Sequence, residues 1–287
     1  MQRLPELARQ FYDRFEPIHA VTYFAPEARA ALDNLGYRGF WMGYFAARSA
    51  PLGPVPPEVV AAVFYNFARA RVAKALPAAW EIAGPQRALR AREESAAAAL
   101  RRYGLTDDDE NVCTAAQLAA RAAQRAPLDG RPLFAANLAL PWPSDPVATL
   151  WHAATLLREH RGDGHTAVLV AAGISGRESN VLHAAAGAVP QDYMQRIRHY
   201  DDAEWRACEQ SLADRGLLGD DGSLTPAGRD FKDRIEATTD MLALHSFDGL
   251  DDGELEALLH ALTAVARTVL AGGDLPATTP MSIRRDF

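Results

Sequence analysis

Apolar positions along this chain recur at intervals of three and four over long stretches, the period of helices with one buried face. Between residues 201 and 216, Trp205, Cys208, Leu212 and Arg215 keep that spacing and predict an amphipathic helix. Gly216 ends it, as a residue that tolerates the left-handed conformation. The following LLGDDGSLT predicts two short strands around an Asp-Asp-Gly turn. Thr225-Pro226 then opens another helix, expected to reach about residue 238, with threonine as its cap and proline at its first position. Residues 159–173, EHRGDGHTAVLVAAG, interrupt the pattern with a polar cluster before turning apolar. They predict a helix end near His160, a sharp turn through Gly162 and Gly164, and a new helix starting near His165.

The order of elements occurs twice. Residues 21–53 parallel residues 147–176, and residues 91–105 parallel residues 203–217. Gly43-Tyr44 then corresponds to Gly164-His165. The expected organisation is a first winged-helix-like domain over residues 1–126 with a degenerate wing. A linker with five prolines follows to residue 146, then a second winged helix over 147–245 and a C-terminal helix and tail over 246–287. The fold class expected is mostly α with small β wings, a tandem winged helix-turn-helix.

Composition narrows the class. At 287 residues, 48% hydrophobic and 23% charged, the chain reads as an ordinary globular protein. Its alanine-rich runs favour helix. No apolar run approaches the roughly 18 residues of a membrane span. The N-terminus lacks a secretory pattern, and Cys113 and Cys208 suggest neither a disulfide framework nor a thiolate metal site. A cytoplasmic location is expected.

LADRGLLGDDGSLTPAGRDFKDRIEA resembles the recognition helix, wing and following helix of MarR-type regulators, whose wing runs into a similar LT-x-x-G. LDDGELEALLHALTAVARTVL, residues 250–270, resembles the terminal helix through which such proteins dimerise. The two-copy layout, with GYFAARSAPLG in the first half and HRGDGH in the second, resembles an actinobacterial family of tandem winged-helix proteins. The resemblance covers nearly the whole chain. It implies one polypeptide imitating a MarR-like dimer, with further oligomers through the C-terminal helix, and it implies no chemistry.

Charge argues against DNA as the partner. Residues 1–126 carry 16 basic against 13 acidic side chains, but residues 145–245 carry 10 against 16. The expected recognition helix holds Asp201, Asp202, Glu204, Glu209 and Asp214 against Arg206 and Arg215, so phosphates would be repelled along it. The GDDGS wing lacks the arginine that a MarR-type wing inserts into the minor groove. Arg87, Arg90, Arg92, Arg101 and Arg102 make the first half more basic, although TDDDEN at its wing position is acidic. Specific DNA binding is therefore disfavoured, and a small molecule is the expected partner.

Its site is expected between the halves. The candidate ligand-binding residues are Tyr44, Arg48, His160, Arg161, Asp163 and His165, with His19. Arg48 sits among apolar neighbours, where it either bridges to the other half or awaits a carboxylate or phosphate. Phe64 to Phe67 and Trp41 supply an apolar wall, unless they are plain core. The bland alternative has Asp163 capping the helix after it, Arg161 paired with Glu159 or Asp163, and His160 capping carbonyls. His165 and Asp163 are the candidate general base and its carboxylate, if the site catalyses anything. His160, Asp163 and His165, with His19 or His152, have no standard zinc spacing, so no metal is expected and no cofactor can be named.

Overall fold

The computed structural model describes residues 4–287. They form a mostly helical molecule of fourteen α-helices, with Pro at the first position of seven of them, where the missing N–H costs nothing. A central layer is built from α1 (Pro5–Phe24), α6 (Pro85–Arg102), α7 (Glu110–Arg125), α9 (Pro146–Ala171), α13 (Pro226–Leu244) and α14 (Asp252–Ala271). Phe11, Ile18, Leu100, Trp151, Leu156 and Leu258 are among its fully buried side chains. Two lobes flank this layer. The first holds α2 (Pro26–Asn34), α3 (Gly39–Ser49), α4 (Pro57–Phe64) and α5 (Arg69–Ile82), around Phe45, Phe64, Phe67 and Leu76. The second holds α10 (Gly176–Ala185), α11 (Gln191–Arg198) and α12 (Asp202–Asp214), around Leu182, Met194, Trp205 and Leu212.

Several local expectations hold. α12 is capped by Asp201, which accepts from the Glu204 amide, and Gly216 follows it at φ +71°. Thr225 caps α13 by accepting from the Gly228 amide, with Pro226 at the first position. That helix runs six residues beyond the expected end. α14 opens on a capping box between Asp251 and Glu254. Its apolar face is buried against α1 and α7 of the same chain.

Other expectations fail. The wing is not a two-stranded ribbon: a single antiparallel bridge joins Leu218 and Leu224. Gly219 donates to Ser223 O and Gly222 to Gly219 O, so a tight turn consumes the residues that strands would need. Among the described residues the first half has no strand at all.

The larger correction concerns HRGDGH. It is not a turn between helices but the interior of α9, a continuous helix of 26 residues. Two interior glycines should weaken a helix by about 1 kcal/mol each relative to alanine. Burial overrides that preference. α9 packs against α1, α6, α7, α8 (Pro132–Leu138) and α13, so it is enclosed on most sides. Gly164 also has a packing role, because a Cβ there would lie 2.4 Å from Arg131 Nη1. That guanidinium lies across the helix, donating to His160 O at 2.6 Å and Leu242 O at 3.3 Å. The parallel between residues 21–53 and 147–176 fails for the same reason, since the former contain the end of α1, then α2 and α3. Residues 127–146, read as a linker, include α8, whose Leu133 and Phe134 are buried.

The lobes touch each other directly. Asn180 Nδ2 donates to Asn66 O at 3.0 Å, Arg71 Nη1 to Ile197 O at 2.8 Å, and the Tyr65 hydroxyl to Ile174 O. Tyr65 itself adopts φ +52°, rare for a bulky residue. Gly176 allows the contact, because a Cβ there would stand 1.9 Å from Tyr65 O.

Candidate ligand-binding cavity

The two lobes and the central layer enclose a cavity of about 340 Å³. α3, α4 and the segment after α4 contribute an aromatic wall of Phe40, Trp41, Tyr44, Phe64 and Phe67. The rings pack mostly edge-to-face or tilted, with Tyr44 and Phe67 centroids 5.6 Å apart and Trp41 and Phe67 6.0 Å apart. The opposite wall comes from α9, α10, α11 and α13 and is rich in charge.

Of the residues predicted from sequence, Tyr44, Arg48, Arg161, Asp163 and His165 all line this cavity. His160 and His19 do not. His160 is fully buried, with Nδ1 2.9 Å from the Ser246 hydroxyl and its ring edge-on to Phe134. Since α9 does not end there, it caps no helix terminus. Burial, reinforced by the Arg131 charge, pulls its pKa down to about 3. His19 lies between Thr155 Oγ1 and the Tyr23 hydroxyl, each at 2.9 Å. Its role is to join α1 to α9.

Arg48 makes the bridge across the molecule, with Nε and Nη2 each 3.3 Å from a Glu159 carboxylate oxygen and Nη1 3.2 Å from the Tyr44 hydroxyl. Arg158 holds the same carboxylate at 3.0 Å and reaches Glu16 at 3.3 Å. Burial alone would raise the pKa of Glu159, but Arg158 and Arg48 together bring it down to about 2. Arg161 pairs with neither Glu159 nor Asp163. It crosses to Asp240 at 2.9 Å and Glu236 at 3.2 Å on α13, an acid pair it shares with Arg9, while Lys232 joins at Glu236.

Asp163 caps a helix, but not its own. Its Oδ2 accepts from the amides of Leu133 and Phe134, each at 2.9 Å, so it closes the first turn of α8 from the side of α9. Burial still raises its pKa, to about 7. His165 Nδ1 lies 2.9 Å from Thr239 Oγ1, whose own hydrogen goes to Ile235 O. The hydroxyl therefore accepts from Nδ1–H, which assigns the neutral ring an unprotonated Nε2. Burial lowers the pKa of this ring to about 4. Among the described residues no hydrogen bond joins Asp163 to His165, so the general-base pair does not form. Nor do His160, Asp163 and His165 converge: their partners lie on the segment after α13, on α8 and on α13. Among the described residues no group of three or more His, Cys, Asp or Glu is arranged to hold a metal ion.

The cavity also contains residues that the sequence pattern did not single out. His183, on α10, has a pKa lowered to about 4 by burial. Arg198, the last residue of α11, is only 8% exposed and has its guanidinium 4.0 Å over the Phe67 ring. A basic end to a short amphipathic helix was the only hint of it.

The expected recognition helix spends its buried side on Trp205 and Leu212, leaving Asp202, Arg206, Gln210 and Asp214 exposed. Arg215 is committed to the end of α9, donating to Gly173 O at 2.8 Å and Ala172 O at 3.0 Å. Arg92 is buried and donates to Ala47 O and Asn137, while Arg101 and Arg102 are held in ion pairs. No described helix is long and apolar enough to cross a membrane.

Comparison with curated proteins and with solved structures gives no match. A family model, described as a Helix-turn-helix family, matches residues 8–276, and the chain belongs to that family.

Proposed function

We propose that this helix-turn-helix protein is a receptor for a small anionic or aromatic molecule, held in the cavity between its lobes, with direct DNA binding largely given up. The cavity carries this reading. It is built by both lobes, sits at the lower end of the size range of small-molecule sites, and sets an aromatic wall against a polar one. From α9 to α14 the order is long helix, three short helices, a reduced wing, long helix, terminal helix. That order supports a MarR-like second half, and α1, α6 and α7 are the counterparts of α9, α13 and α14 in the first on this reading. α14 then packs on α7, its proposed counterpart in the first half.

Ligand screening by thermal shift, followed by calorimetry, tests the reading. Aromatic acids should raise the melting temperature, and Thr166→Trp, which projects an indole from α9 into the cavity, should abolish the rise while leaving the fold intact. A rise that persists in that variant would sink the proposal. Arg48 is a poor probe, since its loss leaves Glu159 buried with one fewer partner and costs stability directly.

The family match favours a second reading, a ligand-responsive transcriptional regulator. Anisotropy titrations on duplex DNA across a salt series separate the two. The receptor reading expects only weak, sequence-indifferent binding that vanishes at physiological salt.

A further inference from the structure

Among the described residues, every arginine and lysine lining the cavity except one has a carboxylate partner. Arg48 and Arg158 hold Glu159, and Arg9, Arg161 and Lys232 share Glu236 and, for the two arginines, Asp240. Arg198 stands apart: among the described residues it has no acidic partner, and its Nε has no hydrogen-bond acceptor. An arginine this deeply buried is ordinarily paired, because a guanidinium loses most of its hydration on burial. The Phe67 face offsets only part of that loss. Burial disfavours the protonated state, and the Arg48 charge adds to that against the opposing pull of Tyr44, so the pKa is lowered to about 10. It remains charged at neutral pH. The fold thus holds one uncompensated positive charge against an aromatic wall, inside a cavity.

We propose that Arg198 is the anion anchor of this cavity and that the ligand is a flat aromatic monocarboxylate. The inference rests on the receptor reading and specifies the class of molecule. A carboxylate matches the guanidinium fork with two parallel hydrogen bonds. A single negative charge matches the single unpaired cation, whereas a phosphate dianion would require a second one. Arg71, the nearest alternative, does not line the cavity; it lies 3.8 Å over the Trp41 ring and donates to Ile197 O. The ring of the ligand extends from the anchor along Phe67 and Tyr44. The neutral Nε2 of His165, on the opposite wall, is an acceptor for a hydroxyl or amine substituent on that ring.

Calorimetry with 1-naphthoate, its uncharged isostere 1-naphthamide and inorganic phosphate tests the assignment. The native protein should bind the naphthoate about ten- to a hundredfold more tightly than the amide, the range expected for hydrogen bonds to a charged group. Arg198→Met should bring the two affinities together. It should not lower the melting temperature of the free protein, because no partner is left unpaired. If Arg198→Met does lower it, Arg198→Lys gives the answer instead: a point charge without the fork should retain part of the preference. Equal affinities for naphthoate and amide in the native protein, or a preference that survives undiminished in either variant, would overturn the anchor while leaving the cavity as a receptor site. Displacement of naphthoate by millimolar phosphate would overturn the carboxylate class. Failure of both aromatic probes to bind would overturn the anchor and the receptor reading together.

Discussion

Asp163 illustrates how a buried side chain can look like one device and act as another. Its position before an apolar run suggested a cap for the following helix, yet its carboxylate closes α8, thirty residues earlier in the chain. Its folded pKa, about 7, lies above that of an unfolded aspartate. The folded protein therefore binds the extra proton between about pH 4 and pH 7, and stability falls as pH rises through that window. Asp163→Asn keeps an oxygen for the α8 amides and cannot ionise. Its melting temperature relative to the native protein should accordingly rise between pH 5 and pH 8; a flat difference across that range would show that the carboxylate is not strained by burial. Arg198 was hidden from sequence for a comparable reason, because its significance depends on Phe67, which lies far away along the chain.

At the scale of elements, α12 and the start of α13 were legible from sequence because their signals are local, a spacing of three and four and a threonine before proline, whereas α14 was expected from a resemblance. α9 was not legible. Gly162 and Gly164 carry the sequence mark of a turn, and only tertiary packing makes them helical. The two glycines should respond oppositely to alanine. At Gly162 a Cβ meets only Glu159 Oε2 at 3.6 Å, an ordinary contact, so Gly162→Ala should stabilise by up to about 1 kcal/mol through helix propensity. Gly164→Ala should destabilise by about 1–3 kcal/mol, because the methyl displaces Arg131 from His160 O. Denaturant unfolding of both variants measures the pair. A stabilising Gly164→Ala would mean that Arg131 can move away at little cost.

Across the whole molecule, the cavity exists because the lobes meet at Tyr65 and Gly176. Five of the seven candidate ligand residues line it, while the groups that hold Arg48, Arg161 and Asp163 lie on α9, α13 and α8, which no local pattern announces. Gly176→Ala places a methyl against a backbone carbonyl that has no rotamer to yield. The expected result is a loss of about 3 kcal/mol or more. Hydrogen exchange should rise at the end of α4 and the start of α10 before it rises in α7 or α14. Uniform exchange across the chain would show that the lobe contact is not separately weak.

The continuity of α9 bears on how this polypeptide could be divided. At about 1.5 Å per residue it is a rod of roughly 39 Å. Its first half supplies Trp151, Leu156 and Leu157 to the central layer, and its far end supplies Leu169 to the second lobe. A chain severed in the turn at residues 140–144 would leave that rod with no surroundings on one fragment and an empty groove on the other. Neither piece should be soluble by itself, and the two produced together should assemble into a native-like heterodimer. The halves would then behave as lock and key, each the missing interior of the other.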